Sequence, residues 1–159
     1  MVVVHGQTAP KGTSGESQGQ QFTDEIRKGD YFYLCNGNSI NLLGRFTSDT
    51  AVPNPEQSNG WVERSYEKIA DSRDTSAYKG VQKWWTPNDN STCIRVGTKE
   101  EKLFEKLILK PYFDMSLNDL YGNNNEDQGY WWLNANPKIW SFSDLQIGGV
   151  QNYTLYDEN

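Results

Sequence analysis

Tyr31-Phe32-Tyr33-Leu34-Cys35, then Asn36-Gly37, then Ser39–Phe46 (SINLLGRF) is the stretch that decides the fold. Five large or β-favouring residues in a row predict a strand. Asn-Gly is the residue pair that a type I′ turn requires, because both central positions need positive φ. The alternation after it predicts the return strand, so a β-hairpin is expected here. Upstream, residues 18–28 read as a short helix, with Phe22 and Ile26 four apart on one face and Gly29 as its stop. Residues 6–20 (GQTAPKGTSGESQGQ) are polar and Gly-rich, hence a loop.

Downstream of the hairpin, residues 47–60 form an exposed connection, and 61–69 alternate as a strand with Trp61, Val62 and Tyr66 contributing to burial. A polar loop over 70–80 leads to Val81-Gln82-Lys83-Trp84-Trp85, read as a strand. Pro87-Asn88-Asp89-Asn90 must turn, and 92–96 is strand-like again. Thr98 and Glu101 fit a capping box. Leu103, Phe104, Leu107 and Ile108 then share one helical face, and Pro111 is expected to end the helix. The charged face of that helix (Lys99, Lys102, Glu105, Lys106) reads as solvated surface. After residue 115 the composition changes. Residues 116–129 read as a linker, with Gly122-Asn123-Asn124-Asn125 at its centre. Strands are expected at 130–133 and 150–156. Two strands without a covering layer do not make a domain. Residues 130–159 therefore either dock on a first domain of 1–115 or begin a second one.

The apolar fraction is only 35%, yet aromatics reach 13%. Such a chain has a modest core and rings to spare for a binding surface. The formal charge of −6 is uneven: residues 1–110 carry 14 basic and 14 acidic groups, while 111–159 carry one lysine and seven acids. Strong non-specific DNA binding is thus unexpected, although a local basic face is not excluded. Val2-Val3-Val4 is too short for a signal core and no stretch could span a bilayer, so a cytoplasmic protein with Cys35 and Cys93 as free thiols is expected.

The catalytic inventory is thin. His5 is the single histidine, the two cysteines lie far apart, and no nucleotide-loop, nucleophile-elbow or zinc-protease motif occurs. Neither an enzyme nor a cofactor or metal is expected. Residues 12–19 (GTSGESQG) suit a flexible loop or, before a helix, a phosphate cradle. Trp84-Trp85 is the stronger lead. In a strand, neighbours point to opposite faces, so one indole can be core while the other is exposed. An exposed ring between Lys79, Lys83 and Asn88 suits stacking on a base or a sugar. Core packing of both rings fits the sequence equally well, as it does for Trp61.

The segment running from Lys28-Gly29-Asp30-Tyr31-Phe32-Tyr33 to Leu42-Leu43-Gly44-Arg45-Phe46 resembles the PUA-like group of small β-barrels, which includes EVE and YTH domains. Gly60-Trp61-Val62-Glu63-Arg64-Ser65-Tyr66, Lys83-Trp84-Trp85-Thr86-Pro87-Asn88 and Leu109-Lys110-Pro111-Tyr112-Phe113 look like segments from the N-terminal regions of McrB-type modification-dependent restriction GTPases. Trp132-Leu133-Asn134-Ala135-Asn136-Pro137 is similar to the opening strand of an EVE-type domain. The resemblance covers about residues 20–115. It implies an α+β fold, a PUA-like small mixed β-barrel with flanking helices. It also implies a reader that flips a modified, methylated base of DNA into an aromatic cage. By family likeness Trp61, Trp84, Trp85 and Tyr33 form the cage. Ser14 and Asn88 bond the base edge, and Lys11, Arg45, Lys79 and Lys83 meet phosphates. The implied partners are modified DNA, a GTPase (AAA+) domain in the full-length chain and a nuclease subunit, with no membrane. The Trp-bearing strand usual before the Gly-rich loop of that family is not found, Val2-Val3-Val4-His5 being its replacement or a remnant of it, and the GTPase motifs are absent. An RNA-binding PUA-like module, a carbohydrate-binding β-domain and a protein–protein adaptor are the rival expectations.

Overall fold

A computed structural model describes residues 4–5, 22, 24–50, 52–53, 61–87, 93–121, 129–134 and 150–152. The protein is a small mixed α+β structure. Its strands are β1 (Val4–His5), β2 (Tyr31–Asn36), β3 (Ser39–Phe46), β4 (Val52–Pro53), β5 (Trp61–Glu63), β6 (Ser65–Asp71), β7 (Cys93–Arg95), β8 (Tyr130–Asn134) and β9 (Val150–Asn152). Six of them form an open sheet in the order β7-β8-β2-β3-β6-β9, and β1-β5-β4 form a small antiparallel one. Among the described residues the larger sheet ends at β7 and β9 and does not close on itself.

The hairpin expected from the sequence is β2-β3, with one difference. Asn36 pairs with Ser39, so the turn residues are Gly37 and Asn38, one position later than Asn36-Gly37. Gly37 has φ 58° and Asn38 does not enter the positive region. A glycine at the first central position with positive φ is the pattern of a type II′ turn, which also matches strand twist. The Asn36 side of the pair simply remains in the ladder.

One strand in from the edge of the sheet, β8 runs parallel to β2 from Tyr31↔Tyr130 to Cys35↔Asn134 and antiparallel to the edge strand β7 on its other side. Tyr130, Trp131, Trp132 and Leu133 are all fully buried. A strand covered on both faces reads as an unbroken apolar run, which is how β2 and β8 read. On one face Tyr31, Tyr33, Cys35, Leu43, Tyr130 and Trp132 pack against Phe104, Ile108 and Leu109. On the other, Phe32, Leu34, Trp131 and Leu133 pack with Phe22, Phe46 and Tyr66. Cys35 and Cys93 lie in different clusters, one per face; both are buried and neither is in a disulfide.

Asp30 holds β8 in register. It is buried, and its carboxylate accepts the Gly129 N–H (2.8 Å), the Arg27 N–H (3.0 Å) and the Trp131 indole N–H (3.1 Å). The Tyr31 N–H donates to the Gly129 carbonyl at 3.0 Å, so the chain is pinned just before β8 begins. Gly29 enters this corner with φ 94°, a conformation that side chains rarely adopt.

The helical layer covers residues 98–113: a 3-10 turn (Thr98–Glu100), α1 (Glu101–Phe104) and a π-helical stretch (Glu105–Phe113), followed by α2 (Leu117–Tyr121). Gly97 stands at the N-cap and no side-chain capping bond forms, so the Thr98 box is not used. Pro111 does not end the helix. A proline ring clashes with the carbonyl four residues back in an α-helix, and the wider π turn moves that carbonyl away. The helix ends instead at Asp114, with φ 52° in the left-handed region.

Candidate nucleic-acid interface

The loop after β6 returns to the hairpin through Tyr78, whose N–H donates to the Asn38 carbonyl at 2.8 Å. Its hydroxyl donates to the Val81 carbonyl at 2.7 Å, folding residues 78–81 around the ring. Gly80 sits so close that a Cβ there would lie 2.5 Å from that hydroxyl. Next comes a tight turn. The Thr86 hydroxyl accepts the Lys83 N–H at 2.8 Å, and the Thr86 N–H donates to the Lys83 carbonyl at 3.2 Å. The strand expected over 81–85 is therefore a turn instead. Tyr78 and Thr86 take the backbone groups that a ladder would need.

The turn sends its two central side chains in opposite directions. Trp84 is 60% exposed and Trp85 is 2% exposed. The Trp85 ring packs edge-on against Phe104 (6.0 Å, 84°), and its carbonyl accepts the Tyr33 hydroxyl. Burial pushes the Tyr33 hydroxyl's pKa well up, so it remains a proton donor. The Trp85 indole N–H is buried without an acceptor among the described residues. Val81, also exposed at 55%, adds apolar area to the Trp84 ledge.

Of the four rings expected to form a cage, Tyr33 and Trp85 are brought together, but in the interior under Phe104. Trp84 alone among their described side chains is open to solvent; of Trp61 only the backbone pairing with His5 is described. Lys79 and Lys83 both precede Trp84 on the same loop and are exposed. The Lys83 ammonium lies 3.3 Å from the Glu100 carboxylate, a half-exposed pair that restrains it weakly. Arg45 belongs to the sheet instead. It lies over the Tyr31 ring at 5.7 Å and 4.0 Å from Glu67. Lys11, Ser14 and Asn88 lie outside the described residues. Sequence reasoning missed Val81 as a surface residue, and the signal was local: Gly80 beside an aromatic marks a close approach, not a strand.

Among the described residues no cluster of three or more His, Cys, Asp or Glu could hold a metal ion. Burial pushes both thiols far above their ordinary pKa, which makes them poor nucleophiles. No helix of the described residues is long and apolar enough to cross a membrane. No family model, curated protein or solved structure matches this chain.

Proposed function

We propose that the chain is a non-catalytic recognition module for DNA carrying a modified base, in which Trp84 is the ring that receives the base. One observation supports this most: an indole 60% exposed on a loop whose backbone is fixed by Tyr78 and Thr86 and which also carries the exposed Lys79 and Lys83. A fixed exposed ring stacks on a base at little entropic cost, and stacking contributes about 1–3 kcal/mol per base. Neighbouring ammonium groups meet the phosphates of the same nucleotide. A flipped base needs a second wall, for which the family likeness offers Trp61. The mixed sheet with its helical cover is read as a variant of the PUA-like barrel, by the sequence resemblance. On the same reading the module works in the cytoplasm, beside a GTPase domain and a nuclease subunit.

The test compares labelled duplexes with and without 5-methylcytosine, N4-methylcytosine or N6-methyladenine. The wild type is expected to prefer one modified duplex. Trp84→Ala is expected to lose that preference with unchanged thermal stability, weakening binding by about 5- to 150-fold. Trp85→Ala, by contrast, empties a core position and is expected to cost about 3–5 kcal/mol of stability. Equal binding of all duplexes by the wild type, or preference for single-stranded RNA or an oligosaccharide, would overturn the proposal.

A further inference from the structure

Lys99, Lys102, Lys106 and Lys110 are all exposed on the helical run over 98–113. Their spacings of three, four and four residues are each about one turn, so they form a single stripe. The four-residue step stays close to a turn in the wider π-helical stretch. Each neighbouring pair is a like-charge pair at i,i+3 or i,i+4, which weakens a helix by a few tenths of a kcal/mol. Helix stability therefore does not account for the arrangement.

The acidic groups of the same run, Glu100, Glu101 and Glu105, offset the four lysines only in part, leaving the stretch at +1. Glu100 pairs with Lys83 at 3.3 Å. Glu105 accepts the Leu117 N–H at 2.6 Å and lies 3.6 Å from Lys110. Among the described residues, no carboxylate forms an ion pair with Lys99, Lys102 or Lys106. In a chain of net charge −6 this is a local concentration of positive charge. It is also joined to the Trp84 loop twice: by the Lys83–Glu100 pair on the surface and by Trp85 against Phe104 beneath.

We infer that this lysine stripe is a phosphate-tracking ridge that carries the DNA backbone away from the base held at Trp84. The inference rests on the nucleic-acid reading above and deepens it. From Lys99 to Lys110 the ridge spans roughly 15 Å at a helical rise of about 1.5 Å per residue. Successive phosphates of one strand lie about twice the 3.4 Å axial rise apart along the backbone, so a ridge of that length following one strand meets about three of them. Such pairings are sequence-independent, so the ridge supplies affinity and Trp84 supplies selection.

The test is the salt dependence of duplex binding, which needs no knowledge of the modification. Fluorescence anisotropy with a labelled unmodified duplex is followed between about 50 and 200 mM salt. Replacing all four lysines by glutamine is expected to flatten the slope of log K against log salt by about 3, near 0.9 for each phosphate no longer neutralised. Replacing them by arginine is expected to keep the slope, which separates charge from folding. The preference for the modified duplex is expected to survive the glutamine variant and to disappear in Trp84→Ala. If the wild type binds duplex but the glutamine variant keeps its slope, the ridge is refuted and the Trp84 reading stands. If the wild type binds no duplex at low salt, both fall. If the glutamine variant loses adsorption to anionic phosphatidylserine vesicles while its DNA binding is unchanged, the ridge serves a membrane surface and the inference is overturned.

Discussion

Gly44 shows how one residue can be dictated by its neighbour across the sheet. It pairs with Phe32, whose ring covers it so closely that a Cβ would lie 2.4 Å from the ring's far carbon. That ring is also wedged between Phe46 (4.6 Å) and Tyr66 (5.2 Å), so it has nowhere to move. Gly44→Ala is expected to cost about 1–3 kcal/mol in chemical denaturation, as overpacked cores do. Its cost should shrink in a Phe32→Leu background, because the clash is with the ring. The two thiols give a second prediction at this scale. Burial raises Cys35 and Cys93 above their ordinary value of 9.0, so the folded state holds protons that the unfolded state releases. Stability from this source is complete below the unfolded pKa and falls as pH rises past it. Urea midpoints are expected to be flat from neutral pH to about pH 8 and to decline above about pH 9. A Cys35→Ala, Cys93→Ala variant should decline less. Trp84 and Trp85 mark the limit of what residue types alone convey. The pair is chemically identical in sequence, and the rings are told apart only by the fold: the Thr86 and Tyr78 hydrogen bonds shape the turn, while the Tyr33 bond and the Phe104 ring hold Trp85 inward.

At the scale of elements, the sequence carried the strands better than their partners. The β2-β3 hairpin was legible because a glycine with positive φ joins two apolar strands that are local to one another. The apolar run of β8 was also legible as a strand, but its position was not. Its ladder with β2 joins residues far apart in the chain, Tyr31 with Tyr130 at one end, and no local pattern encodes such a pairing. Residues 116–129 precede a strand that lies inside the main sheet, and α2 falls within the first half of that stretch. Removing everything from residue 130 onward is therefore expected to abolish cooperative unfolding and to leave residues 1–129 open to proteolysis, since both β2 and β7 would lose a ladder. A truncated chain that melts cooperatively with native near-ultraviolet circular dichroism would show that β8 is dispensable. Pro111 was legible only as an obstacle. The rule that proline stops a helix rests on the α ladder, and it lapses where the ladder widens.

On the whole-molecule scale, the chain combines an interior dense in rings with very few exposed ones among the described residues. Tyr31, Tyr33, Trp85, Phe104, Tyr130 and Trp132 build the core under the helical layer, so much of the aromatic excess is structural. What remains for recognition is a ledge of Trp84 and Val81 with a line of lysines beyond it. That division suits a scaffold held rigid by its own aromatic packing, presenting one ring to a partner. The account stands or falls on whether a base leaves the duplex to meet that ring. A duplex with 2-aminopurine beside the modified base reports this directly, because its fluorescence rises when a stacked neighbour is withdrawn. Saturating wild-type protein is expected to brighten the modified duplex, and Trp84→Ala at saturation is expected to leave it dark. Bound wild-type protein that leaves the modified duplex dark would contradict the account.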